Sequence, residues 1–168
     1  EKNSSQFEYA SADVSYNLPK YFNAYSKVDY DLNFREVSKV EFFGKYTQVK
    51  NLGVSIYYNY RAPQINYNSI FSVFNYGNTQ EIEGGIDYKF SNMFTVFGKV
   101  ANVEYEDDNS QRITVGTTTE YGTISYRKNM GYAGELDAIS VYTARSFMDG
   151  FITPSIGFAY TGYKLSED

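Results

Sequence analysis

The sequence predicts an all-β fold: an antiparallel up-and-down transmembrane β-barrel of about ten strands, with residues 1–168 forming a single barrel domain or barrel section. Three observations predict it. Apolar and polar residues alternate at a period of two along most of the chain. The alternating segments reach the ~9–11 residues that a tilted strand needs to cross a bilayer. Gly, Pro, Asn, Asp and Ser punctuate them.

The segment Tyr21–Phe34 shows the pattern most plainly. One face reads Phe22, Ala24, Ser26, Val28, Tyr30, Leu32, Phe34, and the other Tyr21, Asn23, Tyr25, Lys27, Asp29, Asp31, Asn33. Successive strand side chains point to opposite faces, so one apolar face backs one polar, charged face. The first strand runs from about Phe7 to Leu18, with Ala10, Ala12, Val14, Tyr16 and Leu18 on its apolar side, and Pro19-Lys20 turns it into the second. The third, Val37–Val49, sets Val40, Phe42, Gly44 and Tyr46 against Lys39, Glu41, Lys45 and Thr47. Lys50-Asn51 turns into the fourth, Leu52–Arg61, with Leu52, Val54, Ile56, Tyr58 and Tyr60 on one side.

Ala62–Asn78 reads as a long loop, with Ser69–Phe74 a short extra strand or plug-like hairpin. It mixes Pro63 with Tyr67, Ile70, Phe71, Val73, Phe74 and Tyr76. That density of apolar residues points to a contact region for a partner or plug, or an inward-folded loop; equally, Ser69–Phe74 extends the fifth strand above the membrane. The fifth strand, Thr79–Phe90, opposes Ile82, Gly84, Ile86, Tyr88 and Phe90 to Glu81, Glu83, Asp87 and Lys89. Ser91-Asn92 leads into Met93–Tyr105, with Phe94, Val96, Gly98 and Val100 outward. Gln111–Thr119 and Tyr121–Arg127 form a hairpin around Glu120, and Lys128–Gly134 reads as a loop. Glu135–Phe147 and Phe151–Leu165 form the last hairpin, turned at Met148–Gly150, although Ile139 and Val141 sit on an otherwise charged face.

The connections sort by end. Those after strands one, three, five, seven and nine read as short, and those after four, six and eight as longer, as in barrels with short periplasmic turns and longer external loops. Tyr16, Phe22, Tyr46, Tyr88, Phe90 and Phe94 fall near the short-turn end, and Tyr58, Tyr60, Phe34 and Phe158 towards the other, as two aromatic girdles.

Composition narrows the function. The 19 Tyr and 13 Phe, with no Trp, suit a boundary where a ring lies in apolar medium and its hydroxyl reaches water. Without Cys or His, the chain offers no thiol or imidazole catalysis, no Cys/His zinc site and no His-ligated haem. A net charge of −5 argues against a nucleic-acid partner. The mean hydropathy of −0.48 excludes a bundle of spanning helices but not a barrel, because half of each barrel strand faces a polar interior.

No catalytic, cofactor-binding or metal site is expected, and no cofactor. Glu81, Glu83 and Asp87 share one strand face, and Lys27, Asp29 and Asp31 another; paired carboxylates serve acid–base chemistry only at the right spacing with one raised pKa. Here they alternate with Lys on faces that must be wet. Glu104, Glu106, Asp107, Asp108 and Asn109 offer several oxygens to calcium but lack the spaced pattern and central Gly of an EF-hand. A solvated external loop is the simpler reading. The strings Glu83-Gly84-Gly85 and Tyr76-Gly77-Asn78 do not match a phosphate-binding loop. Arg61, Arg127, Arg145, Lys27, Lys39, Lys45, Lys89 and Lys99 all fall on the expected interior face, mixed with acids, so the sequence assigns no ion selectivity.

The succession of strands, the Tyr-rich bands and segments such as GGIDYKFSNMFTVFGKV resemble Gram-negative outer-membrane β-barrel proteins of the porin-like kind. That resemblance implies export, residence in the bacterial cell outer membrane, a lipid bilayer as the main partner and, often, a pore. If the short turns are periplasmic, both termini lie outside, whereas complete barrels of this kind usually begin and end in the periplasm and close on an aromatic residue. The chain ends Lys164-Leu165-Ser166-Glu167-Asp168, so the expectation is a section of a larger barrel, or a strand unread at each end.

The leading expectation is a non-enzymatic porin-like channel for small solutes or ions. The alternative is a structural sheath or assembly subunit enclosing or docking a protein partner, such as a secretion or electron-transfer component. A soluble lipocalin-like protein is the third reading, because periodicity alone does not distinguish inside from outside.

Overall fold

The computed structural model describes residues 9–62, 77–106, 108–131, 134–146 and 153–164. They form ten strands: β1 Tyr9–Leu18, β2 Phe22–Asp31, β3 Glu36–Tyr46, β4 Leu52–Arg61, β5 Thr79–Ser91, β6 Phe94–Glu104, β7 Asn109–Thr119, β8 Gly122–Gly131, β9 Glu135–Ala144 and β10 Ser155–Lys164. All belong to one antiparallel up-and-down sheet in sequence order, and contacts between elements join only consecutive strands. The sheet is not closed. β1 is exposed along its whole length and β10 along nearly all of it.

The register is continuous across the sheet. One row of partners runs Ser15–Tyr25–Phe43–Tyr57–Glu83–Ala101–Arg112–Asn129–Leu136–Tyr163. It begins near the Leu18 end of β1 and finishes beside Lys164 at the opposite end of β10, so the strands are staggered as in a tilted wall. Bulges interrupt it at Asp29/Tyr30 and Lys89/Ser91.

Turn chemistry explains where strands stop. Pro19 fixes the first central position of a tight turn closed by Tyr21 N–H donating to the Leu18 carbonyl at 3.1 Å, and Lys20 takes the left-handed position at φ 71. β2 ends at Asp31 rather than running to Phe34. The Asp31 carboxylate accepts from the N–H groups of Asn33 and Phe34 at 2.8 and 3.0 Å, offering the backbone a local alternative to the ladder.

The expected sorting of connections is corrected in part. β7 begins at Asn109 and β8 continues to Gly131, because Lys128, Asn129 and Met130 pair with Ile113, Arg112 and Gln111. The connections at 105–108 and 132–134 are therefore short, and 62–78 is the one long connection at that end. At the other end β9 stops at Ala144 and β10 starts at Ser155, leaving 145–154 between them. The expected turn at Met148–Gly150, the extra strand or plug-like hairpin expected at Ser69–Phe74, and the outer ends of the first and last strands lie outside the described residues.

Candidate functional site: the charged face of the sheet

The two faces of the sheet differ in an unusual sense. The apolar side chains stand free while the charged ones pack against each other. Val54, Ile56, Ile82 and Ile86 are 47%, 50%, 55% and 53% exposed. The Glu81 and Glu83 side chains, on the opposite face of the same strand pair, are only 19% and 15% exposed. Among the described residues, the only buried apolar side chains are Ala62 and Ala101. The described residues thus contain no apolar core. The molecule exposes 13019 Å², against roughly 8,400 Å² for a compact monomer of its mass.

Ion pairs span the charged face. Lys27 lies 3.4 Å from Asp29, and Lys39 pairs with Glu41. Lys45 Nζ reaches Asp87 Oδ1 at 2.6 Å from β3 to β5, passing over Gly53 of β4. A Cβ on Gly53 would come within 2.6 Å of the Asp87 carboxylate, so the bridge requires the missing side chain beneath it. Lys99 reaches Glu83 at 2.9 Å, and Arg112 crosses β6 to hold both Glu81 and Glu83, at 2.9 Å to the latter. Ala101, flanked in register by Glu83 and Arg112, is 2% exposed beneath that fork. The Tyr57 hydroxyl faces Glu41 at 3.4 Å. Between Glu41 and Glu81 in the row sits Asn59, 8% exposed, whose Oδ1 has no hydrogen-bond partner.

Glu81, Glu83 and Asp87 do share this face with Lys27 and Asp29, each paired to a cation. Asp31, at the end of β2, caps a turn. Lys39, Lys45, Arg61, Lys89, Lys99 and Arg127 occupy the same face by register. Arg145 does not: it lies beyond β9, where its N–H donates to the Pro154 carbonyl at 3.2 Å. Sequence reading missed Arg112, which joins two carboxylates. Its signal was there, since Arg112, Thr114, Gly116 and Thr118 alternate with Ile113, Val115 and Thr117.

At the turn after β6, Tyr105 N–H donates to the Asp108 carbonyl at 2.7 Å. Glu106 leans instead over Gly77, and among the described residues no three carboxylates assemble into a group that holds a metal. Asp107 lies outside them.

The opposite face carries aromatic contacts at the short-turn end: Tyr16–Phe22 at 6.4 Å, Tyr88–Phe90 at 4.7 Å and Phe90–Phe94 at 5.8 Å between ring centroids. Phe158 lies nearer the short-turn end than the sequence pattern places it, as the fourth residue of β10 counted from Ser155, which pairs with Ala144 at that end. Ile139 and Val141 stand on this same face opposite Tyr126 and Ile124, which resolves the irregular pattern of β9. Charge on this mainly apolar face is concentrated on β8 and β9, where Lys128 lies 3.5 Å from Glu135 and the Tyr126 hydroxyl donates to Asp137. A hollow of about 240 Å³ near the β7–β8 turn, whose lining includes Thr117, Thr119, Tyr121, Ile124, Val141 and Tyr142, contains none of the charged pairs.

Compared with known protein families, curated proteins and solved structures, the chain matches none.

Proposed function

We propose that the chain forms the wall, or a section of the wall, of a transmembrane β-barrel in the bacterial outer membrane, and that its charged face lines a porin-like path for small solutes or ions. One observation carries this reading: apolar side chains are the more exposed set and charged ones the more packed set. Water as sole solvent disfavours that inversion, since a soluble sheet gains most by burying its apolar face at ~25 cal/mol per Å². A lipid surround favours it, because each Val or Ile then stays in apolar medium and the ions face a wet interior.

Flotation with vesicles followed by single-channel recording tests both halves. The expectation is co-flotation that resists high salt and alkaline wash, with discrete conductance steps. Protein that stays soluble without detergent and ignores vesicles would refute the membrane half.

A sheath around a protein partner is the second reading. It is favoured by Tyr25, Phe43, Tyr57 and Phe97, which register places on the charged face and which a purely water-filled path does not need. Co-purification of one stoichiometric partner with no conductance by the chain alone would select it.

A further inference from the structure

The charges of the inner face are not spread evenly around the sheet. By register, its inward carboxylates on the described strands, such as Glu41, Glu81, Glu83 and Asp87, all lie on β1–β5. From β6 to β10 the inward positions carry no Asp or Glu, and their charged residues are Lys99, Arg112 and Arg127. Lys99 and Arg112 point back to Glu81 and Glu83. Arg127 does not: among the described residues no carboxylate pairs with it, and it is exposed.

Its surroundings are small and rich in hydroxyls. Arg127 pairs in register with Thr114 and Ala138, and the next residue across from Ala138 is Thr161. One step along the strand towards the short-turn end, the Ser125 and Ser140 hydroxyls meet at 2.8 Å. A guanidinium offers a planar fork of donors that matches an oxyanion, and neighbouring hydroxyls donate at the same time. Small side chains leave room above the wall for the anion, and among the described residues no carboxylate on this part of the face competes for the fork.

We propose that the inner face of β7–β10 is a contact site for small oxyanions, of the phosphate or carboxylate class, centred on Arg127. As a permeation contact this rests on the conduit reading, so the experiment separates the two. Purified protein is reconstituted in a planar bilayer under a KCl gradient, and inorganic phosphate is titrated in. Saturable reduction of the chloride current is expected, lost in Arg127→Gln and weakened in Arg127→Lys, which keeps the charge but not the fork. Arg127→Glu should lower the chloride-to-potassium permeability ratio roughly five-fold, the effect of reversing one charge near a permeating ion in a wet site. Unchanged phosphate response and selectivity in the Gln and Glu variants would overturn the assignment while leaving the conduit intact. If the protein inserts but passes no current, the conduit reading fails, and phosphorus NMR of inorganic phosphate with detergent-solubilised protein decides the site. Line broadening lost in Arg127→Gln supports it; absent broadening, or broadening equal in both proteins, overturns it.

Discussion

Arg112 on β7 reaches Glu83 on β5 at 2.9 Å, crossing an intervening strand whose residue on the same face at that point is Ala101. Two long side chains thus meet over one short one, and the same construction recurs where Lys45 meets Asp87 over Gly53. Both bridges tie strands that share no ladder, so they brace the sheet against flexing as well as pairing charge.

Removing the brace should be measurable. Arg112→Ala leaves Glu81 and Glu83 facing each other's charge with Lys99 as the remaining partner. A loss of about 1–3 kcal/mol is expected from reversible unfolding in detergent or lipid. Adding Glu81→Gln should restore part of it, and a loss of zero would mean that solvent already screens these pairs.

Glycines on the two faces should respond differently to a methyl group. A Cβ at Gly84 or Gly98 meets nothing within 4 Å, so alanine there should stabilise by ~0.4–1 kcal/mol through the unfolded chain. At Gly116 the same atom would lie 2.6 Å from the Ile124 carbonyl oxygen and from the Phe97 ring, so alanine should destabilise by about 1–3 kcal/mol. Denaturant midpoints of the three variants under one set of conditions test the ordering.

The β1–β2 turn holds Lys20 at φ 71, a conformation that glycine adopts without a Cβ penalty. Lys20→Gly should raise stability by roughly 0.5–1 kcal/mol, and Lys20→Val should lower it. Thermal unfolding followed by circular dichroism reads both.

Ile56, 50% exposed in the middle of β4, separates a lipid-facing from a water-facing surface. Arginine there should cost ~2–4 kcal/mol near a bilayer midplane and almost nothing on a surface facing water. Unfolding measured in lipid vesicles, where the folded state must insert, distinguishes the two; indifference to the substitution would count against the membrane reading.

The sequence by itself determined the strands, because a period of two is a local property that needs no partner to read. Leu52–Arg61 coincides with β4, and the split of Ile82, Ile86 and Tyr88 from Glu81, Glu83 and Asp87 is visible in the alternation alone. Tertiary structure decided what depends on a neighbour. β8 extends to Gly131 because Ile113, Arg112 and Gln111 are there to pair with it, although Lys128 and Asn129 look like loop residues in isolation. Ile139 and Val141 acquire a face only through Tyr126 and Ile124 across the ladder. Which charges meet was also hidden, since Arg112 and Glu83 are brought together by two intervening registers, and a one-residue slip in either would turn one of them to the opposite face.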